Sequence, residues 1–307
     1  MGRLEGARSR IVRERGTGTI PTIVLSGFVP DSTEAVEFQR PLFRSFGNIY
    51  YVNYSRTGFA VDALFNELTG LIAHINARHQ RPVVFSASFG CGVVAAFLRE
   101  IGARARSAIK GIVMVSPVFC ADDLVRPDGD RHHGVRMLEH TLKRIFTATA
   151  QSDINRQLAR ARRCFMNLFG TGCLARTLTS QHHAILAKIT SAIEETTVSA
   201  GYQRLLAFKQ FRRPELTRPI FSGPALALLA EREGDVLVPT SPTLDALRDP
   251  AVLARLFPRG SLREVTSTTE GDPVLHASLI LHHHCYNPLI EAWYAGLGDQ
   301  PTTASHV

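Results

Sequence analysis

Short apolar runs and amphipathic stretches alternate along the first 119 residues. Thr19 to Leu25 is a β-branched run stopped by Ser26-Gly27, and Ile49 to Tyr54 is a second run rich in aromatic and β-branched residues; both predict buried strands. Ala35 to Phe46 between them has helical spacing interrupted by a proline. From Val61 to Arg78 the apolar residues Val61, Leu64, Phe65, Leu68, Leu71, Ile72 and Ile75 recur at steps of three and four, which predicts a helix with one wet face. Strands are expected at Pro82 to Phe85 and at Ile109 to Val115, with helical character resuming from Val93 to Glu100 between them. Strands that alternate with helices imply a parallel sheet covered on both faces.

The alternation then stops for about a hundred residues. Residues 120–213 hold almost no β-like run but several helical ones, among them Val135 to Ile145, Ile154 to Leu168 and His183 to Glu195. It returns with Ala225 to Leu229 as a buried strand, helical segments over Pro242 to Leu256, a strand near Leu262 to Ser267 and a last helix from Pro288 to Ala295. The expected organisation is an α/β core formed by residues 19–119 and 222–307, interrupted by a helical cap over residues 120–221. A chain of 307 residues, 45% hydrophobic and 20% charged, has enough apolar material for such a core.

Charge changes the picture only locally. Residues 126–213 carry 15 Lys/Arg and 6 Asp/Glu, a net +9, while the remainder of the chain sums to −1. Basic residues are also dense in Met1 to Arg15, with no apolar segment behind them; residues 1–18 are expected to form a flexible basic tail rather than a signal peptide. No run reaches the roughly 18 apolar residues that a membrane-spanning helix needs. Five cysteines without CxxC spacing argue against a disulfide framework and a structural zinc site and fit a reducing, cytoplasmic setting. Gly90-Cys91-Gly92 lacks the spacing of a phosphate-binding loop, so no cofactor and no metal are expected. The aromatics of the basic segment are not interleaved with arginine, which makes a nucleic-acid partner a poor fit.

The strongest chemical signal is Ser86-Ala87-Ser88-Phe89-Gly90, placed after an apolar strand and before a helix. A sharp strand-to-helix turn holds its central residue in a strained conformation and lifts the side chain above the sheet edge. Small residues two positions either side let strand and helix approach; Gly90 fills one of these positions, and Ser86 stands where a glycine is usual. On these residues, over about 19–119 and 222–296, the chain resembles the α/β-hydrolase superfamily. The resemblance implies an esterase-, lipase- or thioesterase-like serine hydrolase acting through an acyl-enzyme, with Ser88 as nucleophile and an acid and a histidine following in chain order.

The stretch Ala225 to Pro239 is similar to the family's strand, Gly-containing turn, Asp, apolar, Pro pattern, which makes Asp235 the expected acid. Glu231 and Glu233 are near substitutes, and Asp122 or Asp123 after the preceding strand are further alternatives. His276, the first histidine past the last strand, is the expected base; His282, His283 and His284 compete with it, although a polar helix end explains that run as well. Ser26-Gly27-Phe28 resembles the family's oxyanion loop with Ser in place of His, so the backbone N–H groups of Phe28 and Phe89 are the candidate donors. An acyltransferase and a non-catalytic ligand-binding protein of the same fold are the alternative readings. The basic cap would suit an anionic acyl substrate such as an acyl-CoA, an acyl carrier protein or a lipid, and nothing in the sequence sets the oligomeric state.

Overall fold

The computed structural model describes residues 7–28, 30–126, 137–147, 151–174, 176–215 and 218–298. Its centre is a seven-stranded sheet formed by β1 (Arg10–Glu14), β2 (Thr22–Leu25), β3 (Ile49–Asn53), β4 (Val83–Ala87), β5 (Gly111–Val115), β6 (Pro224–Ala230) and β7 (Arg259–Val265). The spatial order is β1-β3-β2-β4-β5-β6-β7. Every pairing is parallel except that of β1 with β3.

Alternating side chains send each central strand to two cores. Val84, Ile112 and Met114 face one hydrophobic cluster, and Val83, Phe85, Val113 and Val115 face the other. The helices divide accordingly. In chain order they are α1 (Ser32–Ala35), α2 (Arg40–Phe46), α3 (Val61–Asn76), α4 (Phe89–Glu100), α5 (Ala103–Ser107), α6 (Met137–Thr147), α7 (Gln151–Leu174), α8 (Ser180–Glu195), α9 (Val198–Gln210), α10 (Pro242–Arg248), α11 (Pro250–Leu256) and α12 (His283–Gly298). The helices α3, α4, α10 and α11 cover the first face, while α2 and α12 cover the second. A sheet buried on both sides explains why its central strands read as unbroken apolar runs.

Helices α6 to α9 are the insertion between β5 and β6. Leu138, Leu142, Ile145, Ile154, Leu158, Ala161 and Leu205 form a small core of their own, and Phe28, Leu124 and Val236 from the loops of the α/β core pack against it. The insertion therefore sits on the loops at the carboxyl ends of β2, β5 and β6. This is the edge at which parallel α/β sheets hold their ligands.

One boundary departs from the sequence reading. The basic segment expected as a flexible tail over residues 1–18 contains β1, which pairs residue by residue with β3 from Arg10 opposite Asn53 to Glu14 opposite Ile49. Arg10-Ile11-Val12-Arg13-Glu14 is an edge strand with little buried surface, and Arg side chains on such an edge discourage further pairing. Glu14 accepts from Arg40 Nε at 2.8 Å and from the Tyr51 hydroxyl at 2.8 Å, which ties the strand to α2 and β3. Among the described residues no helix is long and apolar enough to cross a membrane.

Candidate active site

Ser88 lies at the junction of β4 and α4 with φ 50° and ψ −119°. L-residues avoid this region, so the conformation must be imposed by surrounding structure. Ser88 N–H donates to Val115 O at 2.9 Å, and its carbonyl accepts from Cys91 N–H at 2.9 Å. Gly90 permits the close approach that the turn requires. A Cβ there would lie 2.4 Å from Ser26 O and 2.6 Å from Leu25 O, so any side chain would push the turn away from the end of β2. Ser86, in the other small position, is fully buried and donates to Val113 O at 3.2 Å.

His276 meets Ser88 from the loop between β7 and α12. Its Nε2 is 2.9 Å from Ser88 Oγ, and its Nδ1 is 2.5 Å from Glu233 Oε2. The two side chains behind the serine are only 9% and 2% exposed. An ionised carboxylate can only accept, so Nδ1 carries the ring proton and Nε2 presents a lone pair to the serine hydroxyl. Burial alone would raise the Glu233 pKa, but the hydrogen bond of His276 and its charge when the ring is protonated, with the Ser116 hydroxyl and the Ala230 N–H, outweigh it and hold the carboxyl below its ordinary value. An imidazole held in this way can take the serine proton while remaining in register.

The carboxylate that meets His276 is therefore Glu233 and not the expected Asp235. Directly after β6 the chain makes a short 3₁₀ turn, Glu233–Asp235, and this turn folds Glu233 inward. Glu233 Oε1 accepts from Ala230 N–H at 2.7 Å while Oε2 reaches the histidine. Asp235, at the far end of the turn, faces outward and pairs with Arg232 at 3.0 Å, with side chains 36% and 54% exposed. Glu231 supports the site differently, accepting from Val274 N–H at 2.8 Å and Ser267 N–H at 2.9 Å and so tying the histidine loop to the end of β6.

The other candidates have separate surroundings. Asp123 is fully buried and accepts from Phe119 N–H, Ser241 Oγ and Thr243 Oγ1 at 2.8, 2.6 and 2.7 Å, clasping the loop after β5 to the start of α10. Asp122 pairs with Arg213. His282 is buried, with Nδ1 2.9 Å from Ser278 Oγ and Nε2 2.7 Å from Arg176 Nη2. His283 stacks on Phe38 at 4.3 Å between centroids, and His284 is exposed at the start of α12. Among the described residues no group of three or more His, Cys, Asp or Glu side chains is placed to hold a metal. The nearby thiol of Cys91 is fully buried, and burial pushes its pKa up to about 12, which leaves it unreactive beside Ser88.

The expected oxyanion donors lie on adjacent segments. The Phe28 and Phe89 rings meet edge to face at 5.3 Å. Phe89 opens α4, where the first N–H groups have no partner inside the helix. The two segments pass so closely that a Cβ on Gly90 would meet Ser26 O. Ser26 N–H donates to Ser32 Oγ at 3.0 Å and Ser26 O accepts from the Tyr54 hydroxyl at 3.2 Å.

Comparison with solved structures places this arrangement in a known fold. An esterase from Exiguobacterium antarcticum superimposes with a TM-score of 0.64 at 12% identity, over 94% of this chain and 96% of that one. A thermophilic esterase from Thermogutta terrifontis, with malate bound, gives 0.60 at 16% identity over 94% of both chains. A bromoperoxidase from Bacillus anthracis gives 0.61 at 15% identity over 95% of this chain and 98% of that one. The fold is thus the α/β-hydrolase fold, shared here with proteins of differing named activity. No protein-family model and no curated protein matches the sequence.

Proposed function

We propose that the protein is a serine hydrolase that cleaves a carboxylic ester or thioester through an acyl-enzyme on Ser88. The observation that carries this reading is the continuous relay from Ser88 Oγ to His276 at 2.9 Å and from His276 to Glu233 at 2.5 Å, mounted on a strained strand-to-helix turn. The esterases among the structural neighbours are consistent with it.

In the proposed reaction His276 Nε2 removes the Ser88 proton as Oγ attacks the substrate carbonyl. Glu233 holds the ring and stabilises the imidazolium that forms. The negative charge on the former carbonyl oxygen is received by the N–H groups of Phe28 and Phe89. Collapse expels the alcohol or thiol, which takes its proton from Nε2 and leaves an ester on Ser88. Water then attacks with its proton passing to the same nitrogen, and the serine is regenerated with release of the acid.

The test is covalent labelling by a fluorophosphonate with peptide mapping, run beside hydrolysis of p-nitrophenyl esters. Wild type is expected to label at Ser88 and to turn over, and Ser88→Ala to do neither while keeping its fold. Full activity in folded Ser88→Ala, or no labelling of folded wild type, would overturn the proposal.

A further inference from the structure

Helix α9 carries a buried cation whose partners are unusual. Arg204 is 5% exposed, and among the described residues no carboxylate lies within ion-pair distance of it. Its Nη1 donates to Phe28 O at 3.0 Å and its Nη2 to Ser55 O at 2.7 Å. The guanidinium carbon sits 5.3 Å from the centroid of the Tyr54 ring, and Nε is buried without a hydrogen-bond partner.

A buried guanidinium bonded only to two carbonyls and a ring face is a poor device for stability, since an apolar residue of similar volume often serves as well or better. What distinguishes these partners is their place. Phe28 O belongs to the residue whose N–H is the proposed oxyanion donor. Tyr54, under the guanidinium, donates to Ser26 O at the other end of the same loop. Arg204 and Tyr54 thus grip Ser26-Gly27-Phe28 from both ends, in the position where the family's usual His is replaced by Ser26.

We infer that Arg204, reaching down from the inserted helices, is a positioning residue that holds the backbone on the far side of the Phe28 Cα and so fixes the direction of the Phe28 N–H for oxyanion binding. The inference rests on the proposed hydrolase reading. It assigns the insertion a part in the chemical step itself: the loop is held in its working conformation only while α9 is seated. Because the transition state carries the charge that Phe28 N–H receives, a loosened loop lowers kcat and leaves ground-state binding in place.

The experiment compares full-length wild type, Arg204→Met and Arg204→Lys by p-nitrophenyl butyrate kinetics, fluorophosphonate labelling rate and thermal midpoint. Deleting an oxyanion donor outright costs about 10²–10³ in kcat. Loosening one is expected to cost about 10–100-fold in Arg204→Met and less in Arg204→Lys, which keeps the charge and a single donor nitrogen, with KM within about twofold for both. Labelling rates should fall in parallel, at a thermal midpoint within a few degrees of wild type. Wild-type kcat in folded Arg204→Met would overturn the inference. So would a rise in KM at unchanged kcat, or a loss that merely follows the folded fraction. If Arg204→Met does not fold, Arg204→Lys decides: lower kcat at unchanged KM supports the inference, and wild-type kcat refutes it. A wild type that fails to label at Ser88 removes the hydrolase reading and this inference together, whereas equal labelling of wild type and variants removes only the inference.

Discussion

Glu233→Gln is the most discriminating single change at this site, because its effect follows from hydrogen-bond direction. Glu233 uses both oxygens: Oε1 accepts from Ala230 N–H at 2.7 Å and Oε2 accepts from His276 Nδ1 at 2.5 Å. A glutamine has one oxygen and one NH₂ to offer. The Ala230 N–H can only donate, so the amide oxygen must remain opposite it and the NH₂ must face Nδ1. Two donors cannot face each other, so the ring moves its proton to Nε2 and points it at Ser88 Oγ, 2.9 Å away. The base then has no lone pair where the serine proton must go. Leaving the histidine of such a triad in the wrong tautomer costs about 10⁴ in kcat, or roughly 5.5 kcal/mol of transition-state stabilisation.

Asp235→Asn is the control. Asp235 makes an exposed pair with Arg232, and exposed pairs contribute roughly 0–1 kcal/mol, so its kcat is expected within about twofold of wild type. The assay is steady-state hydrolysis of a p-nitrophenyl ester by both variants, with circular dichroism to establish that each is folded. A thousandfold loss in Asp235→Asn, or near-wild-type kcat in Glu233→Gln, would refute the reasoning.

Gly90→Ala should lower stability by about 1–3 kcal/mol or more, since the new methyl would press on the backbone carbonyls of Ser26 and Leu25; urea unfolding measures this, and an unchanged midpoint would contradict the packing described. Glu139, 2% exposed beside Arg126, has its pKa lowered because the hydrogen bonds and charge of Arg126 outweigh burial. A depressed carboxylate contributes stability that is fully present above its unfolded value of 4.5 and lost as pH falls through the lower folded value. Breaking such a pair costs about 3–5 kcal/mol, so Glu139→Gln should melt well below wild type at pH 7 and the gap should close on acidification below 4.5; a gap independent of pH would count against this pairing.

Local pattern made Ser88 and His276 legible, and their limits are physical. Ser88 stands out because strand, turn and helix are contiguous, so every condition for the strained turn is written within a dozen residues. His276 follows from chain order alone. The carboxylate that meets His276 lies two residues before the expected one because which carboxylate faces inward depends on which side of a three-residue turn faces the sheet, and Glu233-Gly234-Asp235 offers one on each end. The strand β1 was hidden because Arg10, Arg13 and Glu14 leave no apolar run; only pairing with β3 makes it a strand. Helix α9 lies within the expected helical cap but was not singled out, since the face it buries comprises Ala200, Gly201, Arg204, Leu205, Ala207 and Phe208. Small residues and a buried arginine do not mark a core-facing stripe.

The backbone around the site adds an argument that no single side chain makes. Ser88, Ser116 and Ala277 all adopt positive φ, at 50°, 46° and 50°, and each such residue costs about 1–3 kcal/mol. The three are linked through the sheet edge. Ser88 N–H donates to Val115 O, Ser116 N–H donates to Leu228 O at 2.7 Å, and Ala277 N–H donates to Ser116 Oγ at 2.8 Å. The strain at Ser88 is thereby coupled to the ends of β5 and β6, and the residue after His276 is pinned to the same edge. Strain persists only where surrounding contacts over-determine it, and here those contacts fix the serine, the carboxylate and the histidine against one another. Glu233 and His276 arrive from turns some forty residues apart in the chain, yet neither needs to move to complete the relay. For the proposed reaction the sheet edge would already set the geometry that proton transfer requires, which is where preorganised catalysts place their cost.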